Sequence, residues 1–168
     1  MISKYFIRIF LVLICSISWT TVSAQNILTV RSAQDFEQAI SSLQIGIETH
    51  SYKVTHVQRC DAGLKSLGYG TDRYRVVFFG KLAEVRHLSK TYPQLIPFLP
   101  LKIAVFAEGE QTIISALNPA SLGKFYAGAE LGIQFKSWEK DLRSILTGMQ
   151  QSGAKLATGT FITSADAD

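Results

Sequence analysis

The sequence is poor in the patterns that announce a chemistry. Its three histidines, His50, His56 and His87, do not stand at zinc-ligand spacing. No GxGxxG follows a strand and there is no GxxxxGK, so no phosphate-cradling loop is encoded. Gly63, Gly68, Gly70 and Gly80 are scattered, and Gly68-Tyr69-Gly70 reads as a turn. Ser66 and Ser89 lack the nucleophile-elbow motif. Only four prolines and 12 glycines occur, without a period, which excludes collagen-like and low-complexity chains. A charged fraction of 18% beside 47% hydrophobic residues excludes a wholly disordered chain. At 168 residues there is room for one ordinary domain and not two.

What is present begins with an address. Lys4 and Arg8 precede the apolar run Ile9-Phe10-Leu11-Val12-Leu13-Ile14-Cys15, and Val22-Ser23-Ala24 supplies small or β-branched residues at a cleavage site. This is the layout of a secretory signal peptide. The run falls well short of the roughly 20 residues that a spanning helix needs. We expect residues 1–24 to be removed, a secreted or periplasmic protein beginning at Gln25, and no stable membrane anchor afterwards. Losing Lys4 and Arg8 takes the net charge from +4 to +2, which gives no reason to expect nucleic acid as a partner. Cys15 leaves with the signal, so Cys60 is the single mature cysteine and an internal disulfide is excluded.

The mature chain reads as β-α-β-α-β-α-β-β-α. Ile27–Arg31 is a strand, and Ser32-x-x-Asp35 resembles a capping box for a helix carrying Phe36, Ala39, Ile40, Leu43 and Ile47 at helical spacing. Tyr52–Arg59 is a strand, and Asp61 is placed to cap a short helix, Ala62–Leu67. Tyr74–Gly80 is the clearest strand, and its apolar run Val76-Val77-Phe78-Phe79 suggests burial on both sides. Leu82–Thr91 is helical. Pro93, Pro97 and Pro100 forbid regular structure between Tyr92 and Pro100, yet Leu95, Ile96, Phe98 and Leu99 are too apolar for a solvated loop, so a buried stiff connection is expected. Strands Leu101–Phe106 and Gln111–Leu117 flank the turn Glu108-Gly109-Glu110. A helical stretch starts at Ala120, and a long helix, Ile133–Met149, turns Trp138, Leu142, Ile145, Leu146 and Met149 inward. The fold class is α+β: a single-domain, two-layer sandwich with a mixed or antiparallel sheet of about five strands packed by the C-terminal helix. The domain spans 25–150, and 151–168 reads as a flexible tail.

The order of these segments resembles the family called domain of unknown function 302. The resemblance rests on Leu99-Pro100-Leu101-Lys102-Ile103, the strand, acidic glycine turn and strand after it, Asn118-Pro119-Ala120-x-Leu122, Leu64-Lys65-x-Leu67-Gly68, Arg75–Gly80 and Trp138–Met149. It covers about Thr29–Met149. It implies a small α+β domain of bacterial or archaeal type with no agreed activity. One subgroup carries cysteines at the places held here by about Gly80 and Leu101, so a thiol role tied to those places does not carry over.

Candidate functional residues are few. Cys60 reads first as a small apolar packing group at a strand–helix junction, with a nucleophile, a metal ligand or an intermolecular disulfide as the functional alternative. His56 lies four residues earlier, roughly 13 Å away in extended chain, too far for a Cys–His dyad without a bend. Arg73 and Arg75 beside Tyr74 suit an anion or simply the solvated start of a strand. Pro97, Phe98 and Pro100 belong to an apolar wall that would line a pocket with the next strand. No catalytic constellation, metal site or cofactor site is assigned. The leading expectation is an exported, non-enzymatic domain binding a small ligand or a protein partner. A thiol-dependent redox protein or enzyme using Cys60, and a structural module that assembles as a homodimer, stay open beside it.

Overall fold

The computed structural model describes residues 26–70 and 73–150, and the backbone of 157–159. The signal segment expected at 1–24 lies outside the described residues, as does most of the tail expected at 151–168.

The elements are β1 (Ile27–Ser32), α1 (Phe36–Thr49), β2 (Lys53–Arg59), α2 (Cys60–Ser66), β3 (Tyr74–Gly80), α3 (Leu82–Thr91), β4 (Leu101–Glu108), β5 (Gln111–Leu117), α4 (Ala129–Gly148) and β6 (Ala157–Gly159). Two 3-10 turns, Pro93–Phe98 and Pro119–Lys124, bracket the β4–β5 hairpin. The sheet order is β2-β3-β4-β5-β1-β6, every pair antiparallel. The fold is the expected α+β sandwich, with β6 added as a sixth strand beside β1.

Alternation along the strands builds the core. Leu28, Val30, Val77, Phe79, Ile103, Val105, Ile114 and Ala116 are buried on one side of the sheet. Against them lie Phe36, Ala39, Ile40, Leu43 and Ile47 of α1 and Leu131, Phe135, Trp138, Leu142, Ile145 and Leu146 of α4, in one continuous cluster. Among the described residues, the helices serve this side alone. β3 is therefore not buried on both faces. Val76 and Phe78 point away from the helical layer and are half-buried, because their neighbours in the sheet are Ala104 and Lys102, with no helix above them.

Several local expectations change. Asp35 caps α1, its carboxylate accepting from the Gln38 amide at 2.9 Å. Ser32 instead ends β1 and its Oγ accepts from the Gln34 amide. Asp61 lies inside the first turn of α2 and faces an arginine rather than capping. α4 starts at Ala129, after Gly128 with φ of 140°, and its inward stripe begins at Leu131. Gly132, one turn in, weakens the helical signal there. Pro93–Phe98 is a regular 3-10 turn with only Leu95 buried; Ile96 is 54% exposed. Proline tolerates that geometry at its first position, so the segment is less buried than its composition suggests.

Gly109 and Gly80 answer two different demands, one of backbone angle and one of space. Gly109 takes φ of 61° in the two-residue turn closed by the Glu108–Gln111 pair. At Gly80 a Cβ would fall 2.9 Å from Val85 Cγ2 and 3.5 Å from Pro100 Cβ, so α3 folds tightly over the end of β3. α3 buries only Leu88 and is held otherwise by polar contacts to α4. Glu84 accepts from Gln134 and, at 3.1 Å, from Trp138 Nε1, while Glu130 accepts from Tyr92 and pairs with His87 at 3.3 Å.

Phe79 and Trp138 are buried from opposite layers of the same core. Either one replaced by Ala should cost about 3–5 kcal/mol of stability by lost transfer energy and cavity formation. Urea denaturation of the two variants checks this, and a loss under about 1 kcal/mol for both would refute the packing.

Candidate functional site

The candidate residues fall at three separate places. The first is the apolar crevice beside the second half of the 3-10 turn. Phe98 packs edge-on to Tyr126 with ring centroids 6.0 Å apart, and with Leu101, Lys102, Leu117, Pro119, Leu122 and Leu142 it lines a volume of about 50 Å³. Pro97 is exposed and its carbonyl accepts from Lys102 Nζ at 2.7 Å. Pro100 is half-buried after a cis peptide bond from Leu99. The wall and the adjacent strand do meet, as the apolar sequence suggests. The space between them is far below the ~300 Å³ at which small-molecule sites begin.

The second place is the corner where β2, α2, β3 and α1 converge. Register places Arg59 opposite Arg75. Arg75 reaches under α2 to Asp61, Nη1 to Oδ2 at 2.5 Å, with its side chain only 11% exposed. Its guanidinium also sits 5.3 Å from the Phe36 ring centroid and 3.9 Å from Glu37. Arg75 is thus a buried structural cation rather than a solvated one. Asp61 is 3% exposed and its Oδ1 makes no hydrogen bond. Burial opposes the charge on Asp61, but the hydrogen bond from Arg75, that from the Ala62 backbone amide and the charges of Arg75 and Arg59 outweigh it and hold its pKa below the ordinary carboxylate value. Arg73 is exposed and engages the fold through its backbone, its carbonyl accepting from the Ala107 amide at 3.1 Å. Cys60 opens α2, half-buried and free. His56 does not join it: its Nε2 is 3.0 Å from Gln58 Oε1 and its ring lies against Phe78 on the opposite side of the sheet from the core. Among the described residues no group of three or more His, Cys, Asp or Glu side chains is arranged to hold a metal.

The third place was not among the sequence candidates. The face of the sheet turned from the helices carries Tyr74, Val76, Phe78, Ala104 and Phe106, all half-buried. Tyr74 and Phe106 are cross-strand partners with rings edge-to-face at 6.4 Å. Two shallow depressions lie on this face: one of about 330 Å³ around Tyr74, Ala104, Phe106 and Ala107, and one of about 260 Å³ bordered by Ile27, Val76, Lys102, Ala104 and Ser115. The alternation in Leu101–Phe106 could have signalled an apolar outer face. The unbroken run in β3 hid it, because both parities there are apolar.

The family model described as "Domain of unknown function DUF302" matches residues 28–149. The chain belongs to this family. Among solved structures it is similar to the crystal structure of the uncharacterized conserved protein DUF302 from Bacillus stearothermophilus, with a TM-score of 0.68 and 19% identity over 76% of this chain and 100% of that one. That likeness establishes a shared DUF302 fold. No curated protein matches the chain. Gly80 and Leu101, the places where a DUF302 subgroup was expected to carry thiols, are neighbours here, since Leu101 pairs with Phe79 and Pro100 abuts Gly80; neither residue can supply that chemistry.

The lowered pKa of Asp61 has a direction that can be measured. Its stabilising contribution is complete above the ordinary carboxyl value of 3.8 and is lost as pH falls through that value toward the lower folded one. Asp61→Asn should be less stable than wild type at neutral pH, and the two should converge as pH drops below about 4. Urea midpoints from pH 7 to pH 2.5 test this; a constant difference across that range would show that Asp61 is not the charged partner of Arg75.

Proposed function

We propose that this DUF302 chain is an exported, non-enzymatic binding domain whose working surface is the helix-free face of its sheet, and that it takes a protein partner there. The observation that carries this reading is that apolar face: Tyr74, Val76, Phe78, Ala104 and Phe106 form a contiguous patch across β3 and β4. Contiguous apolar surface left partly open to solvent marks interaction sites when it is large enough. A small ligand is the weaker occupant, because the enclosed crevice at Phe98 is small and the depressions on the open face are shallow. Thiol chemistry has support only from Cys60, which has no histidine contact. Export rests on Lys4, Arg8, the short apolar run and Val22-Ser23-Ala24. Among the described residues no helix is long and apolar enough to cross a membrane.

Hydroxyl-radical footprinting examines the surface. In the host's native extract, Tyr74, Phe78 and Phe106 should be several-fold less reactive than in dilute purified protein. Val76→Lys should abolish that protection at a stability cost of about 1 kcal/mol, as expected of a half-buried strand position, which a thermal melt separates from unfolding. Equal ring reactivity in extract and in dilute solution would remove the binding reading. For export, N-terminal sequencing of the secreted material should begin at Gln25, and soluble cytoplasmic protein retaining Met1 would overturn it.

A further inference from the structure

We propose that the occupant of the open sheet face is a second copy of this chain, docked face to face with the two β4 strands antiparallel about a two-fold axis that passes between Ala104 and Phe106. The inference rests on the reading that this face is the working surface. It is argued from the side chains β4 presents there. Lys102, Ala104, Phe106 and Glu108 alternate with the buried Ile103 and Val105, so all four lie on the open side. The order is cation, small, large, anion.

That pattern is complementary to itself when reversed. A two-fold axis in the interface plane and perpendicular to the strands sets each residue of β4 against its mirror position about residue 105. Lys102 then faces the second copy's Glu108, and Phe106 faces the second copy's Ala104. β3 runs in register beside β4, with Tyr74 opposite Phe106 and Val76 opposite Ala104. The same axis therefore sets Tyr74 against the second copy's Val76, again large against smaller. The depression around Tyr74, Ala104 and Phe106, about 330 Å³, is where the second copy's Phe106 ring would seat. An axis along the strands fails on charge, because it sets Lys102 against Lys102 and Glu108 against Glu108. Sheets packed face to face lie about 10 Å apart, a gap that a lysine and a glutamate together span.

The charged ends keep their present contacts in such a dimer. Glu108 pairs with Arg31 at 2.6 Å, both exposed, and the second copy's Lys102 would bring a further cation to that end. Lys102 donates to the Pro97 carbonyl at 2.7 Å and has two further donors to give. The central strands offer a face of roughly 24 Å by 20 Å, so about 1,000 Å² in total is covered by the pair, at the low end for a specific interface. The dimer is accordingly expected to be micromolar.

Sedimentation equilibrium of the mature protein from ~1 to ~200 μM tests this. Wild type should show a reversible monomer–dimer equilibrium that weakens with added salt. Lys102→Glu and Glu108→Lys should each weaken it about tenfold or more, since each opposes like charges twice per dimer. The double variant Lys102→Glu/Glu108→Lys should return to near the wild-type affinity. A chain that stays monomeric throughout, singles that dimerise as wild type does, or a double variant as weak as the singles would each overturn the proposal. Thermal unfolding of all four proteins confirms that the differences are not losses of folding. If wild type is monomeric while the open face is still protected in native extract, the second-copy inference fails and the binding reading stands. If the face is unprotected there as well, both fail.

Discussion

One constraint organises this molecule: an antiparallel sheet whose strands alternate, covered among the described residues by helices on one side. α4 supplies six buried side chains from Leu131 to Leu146, and α1 supplies five more. Together they fill the space over Val77, Phe79, Ile103, Val105 and Ile114. The driving force is removal of apolar area from water, and with no disulfide among the described residues this core carries the fold. Among the described residues the helical layer is single, and it leaves the second face of β3 and β4 half-buried.

Polar contacts work at the margins of this core and set the positions of the thinner elements. α3 is tethered through Glu84 to Gln134 and Trp138, which satisfies the indole N–H at the edge of the apolar layer. Tyr52, buried and edge-to-face with Phe79, donates to Asp141 at 2.7 Å, and Lys81 lies over its ring. Burial and then the Asp141 hydrogen bond raise the pKa of the Tyr52 hydroxyl, so it stays protonated. Arg75 and Asp61 lock α2 onto β3. β2, at the edge of the sheet, carries Lys53, His56, Gln58 and Arg59 exposed, with a register break between Val54 and His56. Charge and irregularity of that kind discourage edge-to-edge pairing.

Local rules were legible wherever one signal dominated. α3 spans the residues its pattern suggests, and the inward stripe of α4 from Trp138 onward follows from spacing. The β4–β5 hairpin follows from Gly109. Where two signals competed, the sequence misled. Ser32-x-x-Asp35 read as a capping box with Ser32 as the cap, but Ser32 pairs with Thr112 as the last residue of β1 and Asp35 caps the helix instead. Three prolines suggested irregularity, yet the 3-10 turn accommodated Pro93 and Pro97, with Pro100 beyond its end. Gly132 concealed the first turn of α4. The candidate site was legible only in part: the wall at Phe98 formed, but its crevice is small, and Arg75 was spent on Asp61 rather than left for an anion.

What the sequence determined by itself is local or periodic: the number and order of the main elements, the inward faces of the amphipathic helices, the turn glycine, and membership of an α+β class. These follow from backbone sterics and from patterns repeating within ten or so residues. What only the tertiary structure decided is relational. That β3 has one covered face rather than two depends on which side the helices pack, and the run Val76-Val77-Phe78-Phe79 is the same in either case. That Asp61 meets Arg75, that His56 lies apart from Cys60, and that Lys102-Ala104-Phe106-Glu108 forms one row on an open surface all depend on register between strands distant in sequence. Register is set by the whole core at once, which is why no single segment could announce it.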